Sequence, residues 1–202
     1  MLPEAHDFTE PFPGIVRWQV FSPAHKVELT THAVHTPSGW FLFDPIPLAE
    51  NWRSQLLARA RIRAIVLTNT NHERDAAAWR NASHAPIHAP QRDGFELPDL
   101  QLLPAASAAT RWHDWELIPL AGGAPGETAF RWRERSLVIF GDAVFNLPDY
   151  GLNVLPEKYC RDHATLRAQL RELCGEPFAH ACFAHGEPLT QNASQQILSR
   201  LY

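Results

Sequence analysis

The chain has 202 residues, 18 Lys and Arg against 22 Asp and Glu, a formal net charge of −4, and 45% hydrophobic residues. That balance excludes a collagen-like or wholly disordered chain and offers no basic footprint for nucleic acid. It also suffices for one domain, 1–202, to bury its core without disulfide staples.

The apolar runs, such as Leu137–Phe140, fall far short of the roughly 20 residues a membrane span needs. Met1–Asp7 shows no basic stretch followed by an apolar one. A cytoplasmic location without a membrane partner is therefore expected. Cys160, Cys174 and Cys182 lack C-x-x-C spacing and read as buried thiols in a reducing compartment.

In chain order, Gly14–Ser22 and Lys26–His35 read as strands. Val27, Leu29, Thr31 and Ala33 share one face with a period of two. Pro37-Ser38-Gly39 supplies a turn, and Trp40–Asp44 returns antiparallel. Trp52, Leu56, Leu57 and Ala60 then fall at helical spacing, predicting a helix over 48–61. A buried strand at 63–68 and a helix at 73–80 follow, whereas 85–109 is Pro-rich and ambiguous. Trp115–Leu120 is a strand, and 128–133 with 136–141 forms a hairpin around Glu134-Arg135. A helix is predicted over 157–174, with Tyr159, His163, Leu166, Leu170 and Leu173 near one face. Ala181–Ala184 is a strand, and 192–202 a helix capped by Asn192. Strand-rich halves that each end in helices imply a layered α/β sandwich, two sheets inside and helices outside.

Three predicted strands end in polar loops: Thr68-Asn69-Thr70-Asn71-His72-Glu73-Arg74, Gly141-Asp142, and His185-Gly186. Such strand ends are where α/β proteins gather ligands. No serine lies in a nucleophile elbow. The 122–126 loop lacks the Lys and Ser/Thr of a phosphate loop.

These loops, with Gly39–Pro45 and Gly122–Thr128, resemble in order and spacing the metallo-β-lactamase fold superfamily. The resemblance implies a four-layer αββα sandwich and a hydrolytic metal centre. The pattern departs at the metal ligands. Where the superfamily has His-x-His-x-Asp-His, this chain has Asn69, Asn71, Glu73 and Arg74. Gly123 stands where a further His is expected. Asp142 and His185 match unchanged. Asn binds transition ions far less well than an imidazole, so the half-site beside Asn69, Asn71 and Gly123 is expected to hold no ion.

Two readings follow from the resemblance. In the first, Glu73, Asp142 and His185 hold one divalent ion (Zn, Fe or Mn), the count of three ligands and an open position that catalytic metal sites use. Bound water would attack an ester, lactone, amide or thioester of a small-molecule substrate, with Asn69 or Asn71 orienting water or an oxyanion. In the second, the chain is a metal-free, non-catalytic relative whose cleft binds a small molecule or partner. Arg74 then pairs with Asp142 or Glu73 in place of the ion. Bland roles stand beside these. In these, Asp142 accepts backbone N–H bonds, His185 sits satisfied at the rim, and Glu73 occupies a helix first turn. His72 falls on a spacer position and is expected to face solvent. The pocket is expected to be shaped by 89–110 and 146–156, and nothing in the sequence sets an oligomeric state.

Overall fold

The computed structural model describes residues 2–104 and 111–202. The first sheet runs in spatial order β1(Thr9–Phe12), β2(Ile15–Ser22), β3(Val27–Thr36), β4(Gly39–Phe43), β5(Ile62–Val66), β6(Ile87–Ala89), β7(Gln101–Leu102). It is antiparallel up to β4 and parallel from β4 onward. The second sheet contains β8(Arg111–Trp112), β9(Trp115–Pro119), β10(Thr128–Trp132), β11(Leu137–Phe140) and, after an excursion, β14(His180–Phe183), in the order β14-β11-β10-β9-β8. The excursion holds a hairpin, β12(Val144–Leu147) and β13(Gly151–Val154), and helix α3(His163–Gly175). Helices α1(Glu50–Arg59) and α2(Ala76–Ser83) belong to the first half, and α4(Ala193–Leu198) follows β14.

Side-chain alternation explains the layering. On β4, Trp40 and Leu42 pack with Leu56 of α1 and Trp79 of α2, whereas Phe41 and Phe43 point the other way. There they meet Trp115, Phe130 and Ile139 of the second sheet. Val138 and Phe140 face outward again onto Leu166 and Leu170 of α3 and Ile197 of α4. Three apolar layers between four layers of structure make the αββα sandwich. The period of two on β4 and β11 is its direct cause.

Several boundaries differ from expectation. The second helix begins at Ala76, not 73, because Arg74 has a φ of 43°, outside the α-helical region. The predicted 157–174 helix is a 3₁₀ turn at Glu157–Tyr159 followed by α3. Asp162 caps α3 by accepting the Thr165 N–H, and Tyr159 is 61% exposed instead of lying on the buried face. The last helix is short, and Asn192 sits left-handed before it with no side-chain cap bond. The β12–β13 hairpin is additional to the predicted elements. Part of the expected pocket segment, 105–110, lies outside the described residues. Among the described residues no helix is long and apolar enough to cross a membrane.

Candidate metal centre

The two parallel strand pairs, β4–β5 and β11–β14, end on the same side of the sandwich. A hydrogen bond from the Thr128 N–H to the Thr68 carbonyl (2.9 Å) ties the sheets there. The loops that follow carry Asp44, Thr68–Arg74, Asp142 and His185.

Asp142, His185 and His72 converge. Each offers one ligand atom, and these atoms lie within 4.8 Å of one another. Asp142 Oδ1 is 3.0 Å from His72 Nε2 and 3.1 Å from His185 Nε2. His72 is 3% exposed, so the expectation that it faces solvent is corrected. The loop turns back on itself through the His72 N–H to Asn69 carbonyl bond (3.3 Å), which swings the imidazole inward. Glu73 lies outside the cluster. Its Oε2 accepts the Glu96 N–H at 2.8 Å. The imidazole of His72 therefore stands where the sequence comparison placed the Glu73 carboxylate.

The far sides of both rings are fixed. His185 Nδ1 is 2.7 Å from the Glu28 carbonyl, which can only accept, so Nδ1 carries the hydrogen. His72 Nδ1 is 2.9 Å from Asp44 Oδ2 and 2.9 Å from Thr68 Oγ1. The Thr68 hydroxyl donates to Asp44 Oδ2 at 2.6 Å and its N–H to Asp44 Oδ1 at 2.8 Å, so Asp44 acts throughout as acceptor. In a neutral imidazole with Nδ1–H, Nε2 is a lone pair. Both Nε2 lone pairs then face the same carboxylate oxygen, three acceptors with no hydrogen among them. A cation satisfies that set, and two imidazoles plus one carboxylate suit zinc or iron. The outer acceptors on Nδ1 are those that metal-binding histidines use to fix their tautomer.

Without an ion, a proton on His72 takes that place. Burial and the Arg74 charge oppose protonation of His72, but the Asp142 and Asp44 carboxylates outweigh them and raise its pKa to about 9. Burial lowers His185 despite its bond to Asp142. Burial opposes ionisation of Asp142, but the neighbouring His72 charge and the bond from His185 hold its carboxyl well below the usual range. A proton or a metal ion thus competes for the space beside Asp142 Oδ1.

Arg74 is on neither Asp142 nor Glu73. Its guanidinium donates to the carbonyls of Thr30 (2.9 Å), Asp44 (3.0 Å) and Ala184 (3.3 Å), stitching the two sheets beneath the cluster. Asn71 donates its amide to Asp142 Oδ2 at 3.1 Å. Asn69 is fully buried. Its amide donates to Glu127 Oε2 at 2.7 Å, and its oxygen accepts the Asn71 N–H at 2.9 Å. Gly123 is buried, and a Cβ there would meet Glu127 Cγ at 3.0 Å.

Two residues were not anticipated from sequence. Asp44, 2% exposed with a φ of 50°, follows β4 and orients His72. Glu127, also 2% exposed, accepts from Asn69 and from the Ala143 N–H (3.0 Å). Burial and the Asp142 charge push Glu127 up to about 8. The available signal for His72 was that it is the sole imidazole in its loop.

A family model described as the metallo-beta-lactamase superfamily matches residues 10–177. No curated protein matches the sequence significantly. Among solved structures, the DIM-1 metallo-β-lactamase exposed to ceftazidime is similar with a TM-score of 0.73 and 15% identity, covering 100% of this chain and 98% of that one. A metallo-β-lactamase from Erythrobacter litoralis gives 0.68 at 13% identity over 96% and 91% of the two chains. TTHA1623 in a di-iron-bound form gives 0.60 at 22% identity over 87% and 94%. At these identities the structural likeness establishes the fold.

Proposed function

The chain belongs to the metallo-β-lactamase superfamily, and from that premise we propose that it is a hydrolase with a reduced centre. One divalent ion is held by His72, Asp142 and His185. The substrate is a small molecule with an ester, lactone, amide or thioester carbonyl. The observation that carries this reading is the pair of imidazoles whose Nδ1 hydrogens are taken by Asp44 and the Glu28 carbonyl. Both Nε2 lone pairs are thereby left on Asp142 Oδ1.

When bound, such an ion supplies Lewis acidity, lowering the pKa of water and polarising a carbonyl. Zinc and iron are the leading candidates, a di-iron form being present in one structural neighbour. The chain's own residues do the rest. Asp142 anchors the loop end and keeps a second oxygen, Oδ2, in contact with the Asn71 amide. Asn71 is exposed and has a second amide hydrogen, so it is the residue able to donate to a carbonyl oxygen of the substrate. Asn69 is committed to Glu127 and to the Asn71 backbone, and its role is to hold the loop.

Elemental analysis of protein purified without chelators, and after reconstitution with Zn, Fe or Mn, tests the reading. One ion per chain is expected, with His72→Ala losing it. Failure of every metal to bind would discard the catalytic proposal and leave the cleft as a metal-free binding site.

A further inference from the structure

The loop that supplies His72 has little regular bonding of its own. The Asn71 N–H reaches Asn69 Oδ1 at 2.9 Å, and the His72 N–H reaches the Asn69 carbonyl at a long 3.3 Å. Residues 90–97, between β6 and β7, support it from outside. Gly94, with a φ of 94°, lies against Thr70, and a Cβ there would meet Thr70 Cγ2 at 3.0 Å. Two residues on, the Glu96 N–H donates to Glu73 Oε2 at 2.8 Å. The Thr70 N–H donates to the Pro125 carbonyl at 3.0 Å, and Gly126, the next residue, sits close against Pro90 and Gln91. Phe95 and Leu97 are partly buried on the core of the first half, which seats the segment. One segment therefore touches residues 70 and 73. Between those two contacts lie Asn71, whose amide meets Asp142 Oδ2, and His72, whose Nε2 meets Asp142 Oδ1.

We propose that residues 90–97 are a brace that positions Asn71 and His72, with Glu73 as its clasp, an inference that rests on the metal-centre reading above. A ligand must be held to within about 0.5 Å of its working geometry, and a ring carried on a loop needs a supporting layer to achieve that. The Glu73 carboxylate is drawn to the Glu96 N–H, away from the cluster, while the neighbouring His72 ring faces Asp142. Gly94 permits the close approach because it has no Cβ and takes a positive φ without strain. Glu73 is thus a positioning residue at the place where the family spacing puts a ligand. The coupling is reciprocal: whatever the brace adds to metal affinity, a bound ion adds to the seating of the brace.

The test uses the full chain, zinc, and competition with a metallochromic chelator. In Glu73→Ala, stoichiometry should stay at one ion while affinity falls by about three- to tenfold, since the coupling cannot exceed the worth of the hydrogen bond that is lost. Glu73→Gln keeps an acceptor oxygen for the Glu96 N–H and should restore affinity. Gly94→Val, which changes neither a metal ligand nor Glu73, should weaken binding in the same direction. Amide hydrogen exchange on the metal-free chain gives a readout that needs no ion. The Asn71 and His72 amides should exchange faster in Glu73→Ala and Gly94→Val and at the wild-type rate in Glu73→Gln, with the β11 amides unchanged in all three. Wild-type affinity and wild-type exchange in Glu73→Ala would overturn the brace. Loss of the ion in Glu73→Ala and Glu73→Gln alike would make Glu73 a ligand and overturn it too. If wild type binds no metal, the hydrolase reading falls by itself, and the exchange rates decide whether the brace stands.

Discussion

Two buried carboxyl groups flank the loop from Thr68 to Arg74, and the protein treats them differently. Both oxygens of Glu127 meet N–H donors, the amide of Asn69 and the backbone of Ala143. One oxygen of Asp142 meets the Asn71 amide, while the other faces two imidazole nitrogens whose rings spend their Nδ1 hydrogens elsewhere, so that a proton on His72 or a metal ion must fill the space between them. A buried acceptor matched to donors fills space and holds a loop. A buried acceptor set against other acceptors has a deficit of positive charge, and that deficit defines a cation site. Hydrogen-bond accounting separates the two halves of the cleft where residue types alone do not.

The most severe way to break the contrast is to remove a nitrogen from the deficient side. His185→Ala leaves two protein ligands, and metal affinity should fall by more than about 100-fold, since outer partners alone are worth about 10–100-fold. Competition with a metallochromic chelator reads this directly. Unchanged affinity would mean that His185 is a rim residue bonded to a carbonyl and nothing more.

Asp44→Asn is gentler. Asn tolerates the positive φ of position 44, so the backbone is preserved. One carboxylate oxygen becomes an amide that must point hydrogens at Thr68 or His72, both of which now donate to Asp44. Metal binding should weaken by about 10–100-fold, with circular dichroism unchanged. If affinity holds, Thr68 alone sets the His72 tautomer.

On the matched side, Glu127→Ala strands the Asn69 amide and the Ala143 N–H and should cost about 2 kcal/mol in urea denaturation. Metal stoichiometry should stay at one. A change in metal content would make Glu127 a ligand and dissolve the distinction between the two acids.

Much of this architecture is written in alternation. Trp40 and Leu42 against Phe41 and Phe43 assign β4 two faces, and the helices covering the outer face carry Leu56 and Trp79. Asp142 and His185 stood out because each follows a short buried strand. His72 did not, because the family's ligand spacing points to 73, and the inward turn depends on how residues 69–74 fold back. Arg74 takes its left-handed backbone where its guanidinium reaches three carbonyls on distant strands, contacts that no local pattern encodes. Asp44 reads as an ordinary acid after a strand. Glu127 is not legible because the family's ligand position falls on Gly123, four positions earlier, where a Cβ has little room beside Glu127 itself. The β12–β13 hairpin is hard to read because its strands are four residues each and partly exposed.

A third buried imidazole sharpens the comparison at smaller amplitude. His32 lies on β3, 1% exposed, and its Nε2 has no partner among the described residues. Burial, then the Arg17 charge, lowers its pKa from 6.5 to about 3, whereas His72, beside two carboxylates, goes to about 9. Folded His32 stays neutral where the unfolded chain takes up a proton. Its contribution to stability is therefore complete above pH 6.5 and declines as pH falls from there toward 3. The decline has a limiting slope of about 1.4 kcal/mol per pH unit. His32→Asn removes the titration while keeping a polar side chain. Other titrating groups, His72 and His88 included, remain in both proteins and largely cancel in the difference. Denaturant midpoints measured from pH 7 to 5 should show wild type losing its advantage over the variant as the pH drops. Parallel profiles would mean that His32 finds a bonded charged partner in the folded chain, and that burial beside Arg17, against which the more distant Asp44 charge is too weak, is not what sets it apart from His72.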